Sequence, residues 1–257
     1  MPVSTLGFSS GRDRIGTSGI TAARVDLARA LGIGGVIAYN WWAAVPFVPG
    51  LMTSHNEFFS DLEVPGLRDA DLMQRADLLA GVVMLVALLM RGGSGRHGAR
   101  REWKWLLAFA AAGAIGGRFP YVCSEGLSAT CRSLEWHLEL PLHHYIHVVS
   151  GIAEFLFLTV AVIVAVRRTR GEMTWEARAF RTILGVLVVG YPLLGFVYLS
   201  DRWGAFVEPI FFVCFSAMIV VSLFEPIVRA TSPEEIDGEP ATAEAAEWGG
   251  VRTTGNA

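Results

Sequence analysis

The chain has 257 residues, 53% of them hydrophobic and 18% charged, and its mean hydropathy is positive. A soluble domain of this size rarely carries so little charge, so most of the apolar surface is expected to face a lipid bilayer. The formal net charge of -3, with no basic patch interleaved with stacking aromatics, excludes a nucleic-acid partner.

Residues 1–26 are rich in Ser, Gly and Thr, carry Arg12, Arg14 and Arg24, and hold no apolar run, so a disordered cytoplasmic lead is expected. The run from Leu27 to Met52 is too long for a signal-peptide core and lacks a small-residue cleavage site, which makes it the first membrane span. Further apolar runs follow at about 72–90, 103–119, 143–166, 180–200 and 206–228, each near the length that crosses a ~30 Å hydrocarbon layer. Backbone polar groups cannot stay unpaired in hydrocarbon, and the short alternating strands of a barrel are absent, so each run is predicted to be a helix. The predicted fold is all-α: a polytopic bundle of six transmembrane helices over 27–229. A disordered acidic tail follows at 230–257, where large apolar residues are almost missing. Small residues at four-residue spacing, Ala30, Gly34 and Ala38 in the first span and Gly113 with Gly117 in the third, predict helix-packing faces. Pro192 is expected to kink the fifth.

Lys and Arg resist translocation, so the loops Arg91–Lys104 and Arg167–Arg181 are placed in the cytoplasm together with both termini. The alternate loops are acidic, with Glu57, Asp61, Glu63, Asp69 and Asp71 in one and Glu125, Glu135 and Glu139 in the next, and are placed outside. Twenty arginines against the single Lys104 point to a GC-rich genome and hence to a bacterial plasma membrane.

Cys123 and Cys131 share the second outer loop, where an oxidising compartment favours a disulfide; their spacing fits no compact zinc-binding pair. Cys214 sits alone in the sixth run as a buried apolar residue. Five of the six histidines map to the outer side. At 100° per residue, His143, His147, Ser150 and Glu154 fall within about 60° of one another on the fourth span, a polar stripe that must face the bundle interior. An ionisable residue such as Glu154 at membrane depth marks a functional site or a partnered group. Three chemistries fit. His143 and His147, completed by His55, Asp61 or Glu154, would hold a metal that activates water, with zinc as the natural ion for such a set. Alternatively the stripe lines a pocket for a lipid head group or a proton path. In the third case the groups satisfy one another together with Asn40, Asp77 or Arg118.

Two segments read together, Phe58-Phe59-Ser60-Asp61-Leu62 and Phe119-Pro120-Tyr121-Val122-Cys123 through Cys131 to His143, His144 and His147, resemble the DUF998 family of six-helix membrane proteins. The wider similarity is to the Frag1, DRAM and Sfk1 group of membrane proteins, which share a Ser-Asp motif after the first helix. The resemblance implies an outer-face site around Ser60, Asp61, His143 and His147; where its pattern has Gly after Ser-Asp-Leu, this chain has Glu63. A more distant likeness is to the seven-helix ceramidase and progestin-receptor superfamily, with Ser54, Asp61, His143 and His147 as counterparts of its zinc site. This chain has six runs instead of seven, and its paired histidines open the fourth. The expected function is therefore contact with a lipid or a membrane protein partner through an outer-face pocket. The alternatives are a metal-dependent lipid hydrolase and a structural subunit of a membrane complex.

Overall fold

The computed structural model describes residues 12–48, 58–92, 100–200 and 203–225. His55, Ser54, the first eleven residues of the lead and the tail lie outside them. Among the described residues there is no strand, and the elements run α1 (Arg12–Tyr39), a 3-10 segment (Trp41–Phe47), a 3-10 turn (Phe59–Glu63), α2 (Ala70–Gly92), α3 (Trp103–Arg118), α4 (Ala129–Trp136), α5 (Leu142–Arg168), α6 (Trp175–Ser200) and α7 (Gly204–Phe224). Each long helix covers one of the apolar runs. Helix α1 begins at Arg12, ahead of the run from Leu27, and so takes in residues assigned to the leading segment.

Helices α2, α5, α6 and α7 are long and apolar enough to cross a membrane, and α1 from Ala22 with the 3-10 segment, bent by 42°, makes a fifth such span. The third apolar run is helical too, but α3 has 16 residues, about 24 Å of helix, which falls short of a ~30 Å hydrocarbon layer. Four or five spans therefore stand where the sequence predicts six.

The long helices close a ring in which α1 packs on α2, α2 on α3, α3 on α5, α5 on α6, α6 on α7 and α7 on α1. Inside the ring, Phe109, Phe155, Phe211 and Phe215 meet with ring centroids 4.9–6.2 Å apart at tilted or edge-on angles, the arrangement aromatic quadrupoles favour. Outside it, Leu79, Leu89, Val188, Val189, Phe196 and Leu199 are exposed, an apolar surface that lipid would cover.

The small-residue faces are only partly those expected. Gly34 has nothing near its missing side chain, whereas Gly32 lies against Leu223 of α7 and Gly35 against Met84 and Ala80 of α2. Gly81 and Gly117 face each other's helices so closely that the α2 and α3 backbones touch. Gly113 instead borders Glu154.

The two ends of the ring differ in chemistry. At one end, Arg91 is buried and donates to the carbonyls of Leu223 (3.1 Å) and Glu225 (3.1 Å), closing the C-terminus of α7. Arg168 bridges Glu102 (2.6 Å) and Glu225 (3.0 Å), and Arg100 also pairs with Glu225. At the other end stand the 3-10 turn, α4 and a disulfide between Cys123 and Cys131, whose Cα atoms are 6.0 Å apart. Cys214 is free and buried in α7.

Candidate functional site

The break after α1 is built around Asn40. Its amide donates to the Val36 carbonyl (2.7 Å) and to Ser216 Oγ (2.6 Å), and its Oδ1 accepts from Trp42 Nε1 (3.1 Å). Groups that a broken helix would leave open are thereby paired. The chain after the break brings Trp41 inward, where its Nε1 donates to Asp77 Oδ1 of α2 at 2.7 Å.

The 3-10 turn Phe59–Glu63 is held from both ends by carboxylates. Asp61 Oδ2 accepts from its own Phe58 N–H (2.9 Å), and Glu208 of α7 accepts from Phe59 N–H and from Ser60. Asp61 Oδ1 also accepts from Ser124 Oγ at 2.5 Å, while Ser124 Oγ takes the N–H groups of Gly126 (3.0 Å) and Leu127 (3.2 Å). Asp61 thus ties the first loop to the disulfide loop. A Cβ on Gly126 would come within 2.9 Å of Asp61 Oδ2, an oxygen already engaged, so the close approach requires glycine there.

Behind the turn lies a cavity of about 90 Å³. Four carboxylates line it, Glu63 from the turn, Asp77 from α2, Glu154 from α5 and Glu208 from α7, along with Ser60 and His147. Its aromatic wall is Tyr39, Trp41, Phe109, Phe155 and Phe212. Neither Lys nor Arg is among the described residues that line it. Glu63 and Asp77 share a hydrogen bond, which between two carboxyls requires a proton. Burial holds the Glu63 carboxyl well above the ordinary carboxylate value, and Asp77 adds to it, so Glu63 is the donor. Its Oε2 is buried with no hydrogen-bond partner. Glu154 likewise makes no hydrogen bond among the described residues and stands over Gly113 and Gly116, whose lack of side chains leaves it room.

A second opening adjoins the first, with Ser60, Phe155 and Glu208 common to both. This cleft lies between α5 and α6 and comprises a polar part of about 460 Å³ and an apolar part of about 710 Å³. Asp61, Glu125, Gly126 and Arg132 line the polar part; Trp136, Leu138, Ile152, Leu156 and Leu194 line the apolar one. Tyr198 of α6 donates to Glu125 across the cleft, and Tyr191 lies deeper, donating to the Phe155 carbonyl at 3.1 Å.

The stripe on α5 divides. His147 and Glu154 reach the cavity, while Ser150 Oγ turns back to the Ile146 carbonyl (2.6 Å) and His143 is half-exposed outside it. His147 Nδ1 lies 2.8 Å from the Phe119 carbonyl and 3.1 Å from that of Gly116, so Nδ1–H donates to them. Its ring sits 4.0 Å from that of Tyr121, whose hydroxyl is pushed well up by burial and by the Asp61 charge. The fully buried histidine is His144, which accepts from Val122 N–H (3.3 Å) and faces Glu135 of α4 (3.2 Å). Among the described residues no three His, Cys, Asp or Glu side chains converge as metal ligands; Asp61, His143 and His147 form no such set, and His55 is not among those residues.

Glu63 lends itself to a direct measurement. Its raised carboxyl stabilises the fold fully below the ordinary value, about 4.3, and that stability is lost as pH rises from there through the raised value. Glu63→Gln does not titrate, and its amide N–H replaces the proton donated to Asp77. The variant should therefore melt above the wild type at pH 8, with the gap shrinking as pH falls towards 4; a gap independent of pH would contradict the shared proton.

A ring of apolar helices closed over charged groups defines an integral membrane protein. Residues 32–225 match the family described as "Protein of unknown function (DUF998)", and the chain belongs to it. No curated protein and no solved structure matches the chain.

Proposed function

We propose that the protein binds a membrane lipid at its disulfide end, with the acyl chain in the α5–α6 cleft and the head group against Asp61, Glu125 and Arg132. The observation that carries this is the graded lining of one opening, apolar along Ile152, Leu156 and Leu194 and charged at its other end. In this reading six helices cross the membrane, α3 as a short span that thins the bilayer locally. The arginine end and both termini face the cytoplasm of a bacterial cell, following the Lys and Arg bias of its loops. The disulfide end faces the oxidising outer side of the plasma membrane.

The test fills the cleft. Gly195 lines it with open space around its missing side chain, so Gly195→Trp should fold and block the site. Native mass spectrometry of protein released from nanodiscs should show at least tenfold less retained lipid for the variant. Equal retention would remove the cleft from consideration. Orientation is read separately with an impermeant thiol reagent on intact cells, at exposed positions in the two kinds of loop. Leu138→Cys should be labelled and Met173→Cys should not.

A further inference from the structure

The carboxylate cavity has features that a lipid cleft alone does not call for. Four acidic side chains from four different elements line about 90 Å³ without a Lys or Arg among the described lining residues, a concentration of acidic groups whose charged forms are expensive to bury. The shared proton between Glu63 and Asp77 removes part of that cost. It leaves Glu63, only 5% exposed, with Oε2 unpartnered, and Glu154 without a hydrogen bond among the described residues. Acceptors left open on two different elements around one cavity are arranged for a donor that the protein itself does not supply.

The lining decides what kind of donor. A bare metal ion needs several carboxylates at bonding distance, and among the described residues no such group converges. Five aromatic residues instead share the wall, and aromatic faces attract ammonium cations, of which only those with N–H groups can also answer the open carboxyl acceptors. The volume suits several waters or one small head group and excludes anything larger. The cavity meets the cleft at Ser60, Phe155 and Glu208, so a charged group entering through the cleft arrives at the carboxylates.

We propose that this cavity binds a primary ammonium group, whose N–H donors meet Glu63 and Glu154 and whose charge is boxed by Tyr39, Trp41, Phe109, Phe155 and Phe212. The inference builds on the lipid reading, since an aminated head group anchored in the cleft is one source of the ammonium; a free small amine is the other.

The experiment uses the full chain purified in a neutral detergent. Its probes are methylammonium chloride, with sodium chloride as the control salt, and two lysolipids of equal chain length, lysophosphatidylethanolamine and lysophosphatidylglycerol. Methylammonium should raise the melting temperature above that in sodium chloride. The ethanolamine lysolipid should bind at least tenfold more tightly than the glycerol one. Both differences should vanish in Glu154→Gln, which keeps the side-chain volume and cannot form a carboxylate. Gly113→Ala is the second variant, because its added methyl would lie 3.4 Å from Glu154 Oε1 inside the cavity, and it should weaken methylammonium binding too. Equal affinity for the two lysolipids with no methylammonium effect overturns the ammonium site and leaves the lipid cleft standing. Stabilisation by methylammonium with neither lysolipid bound supports the site and overturns the lipid reading. Unchanged selectivity in both variants overturns the assignment to these residues.

Discussion

Arg168→Ala is expected to lower stability by about 3 kcal/mol, the lower end of the cost of removing one partner from a buried ion pair. Arg168 closes α5 and reaches Glu102 at 2.6 Å and Glu225 at 3.0 Å. The two acids do not lose equally. Glu225 retains Arg100, whereas Glu102 is 3% exposed at its side chain and already has a second oxygen without a partner. Without Arg168 a carboxylate is therefore left charged and unpaired at the end of the bundle. The 28% exposure of the Arg168 side chain sets the figure at the low end, because solvent screens part of the attraction. The sign of a second substitution separates this account from simple loss of packing. Glu102→Gln alone should cost little, and in the Arg168→Ala background it should restore most of the lost stability, since the stranded charge is gone. Unfolding in mixed detergent micelles measures all four proteins. Additive losses would mean that the pair acts as a surface ion pair and that the arginine end is held by Arg91 and Arg100 instead.

The helices were legible because length and apolar content decide them: a run of some twenty residues in lipid has one way to pair its backbone. What escaped the sequence is short or set by contacts from elsewhere. The 3-10 turn Phe59–Glu63 has five residues and depends on Glu208, a residue of α7. Helix α4 has eight residues, and its N-cap, Ser128 Oγ accepting from Cys131 N–H at 3.2 Å, lies inside the disulfide loop. Glu154 was legible as an acid deep in an apolar run. Glu63 sits in the acidic outer loop and Asp77 in the first turns of the second run, where charges are ordinary, so spacing alone does not separate an inward-facing acid from a solvated one. Glu208, the third residue of the sixth run, was hidden in the same way. The periodicity argument fixed a stripe on α5 but not its rotation at the first turn, where Glu135 of α4 draws His144 inward and leaves His143 half-exposed. The contact of Asp61 with Ser124 joins residues in different loops, and no spacing along one chain reveals it.

The small-residue pattern supplies the sharpest contrast between spacing and packing. Gly34 belongs to the regular series with Ala30 and Ala38, yet it is exposed and nothing lies within 4 Å of a Cβ built there. Gly117 has a Cβ position 2.3 Å from the backbone nitrogen of Leu78 and 2.7 Å from its Cα. Gly81 returns the contact, 2.3 Å from the backbone nitrogen of Ala114. No rotamer relieves a clash with backbone, so a side chain at either position must push α2 and α3 apart. Gly117→Val should cost about 3 kcal/mol, the upper end of ordinary overpacking. Gly34→Ala should instead be neutral or stabilising by about 0.5–1 kcal/mol, because alanine loses less chain entropy than glycine in a helix. The displaced segment includes Asp77, whose carbonyl carbon lies 2.9 Å from the same Cβ position and whose side chain holds Trp41 and Glu63 on the cavity wall. Gly117→Val should therefore also weaken methylammonium binding, although residue 117 adds no charge and removes none. A variant destabilised by that amount with unaltered binding would show that the cavity keeps its shape independently of the α2–α3 contact.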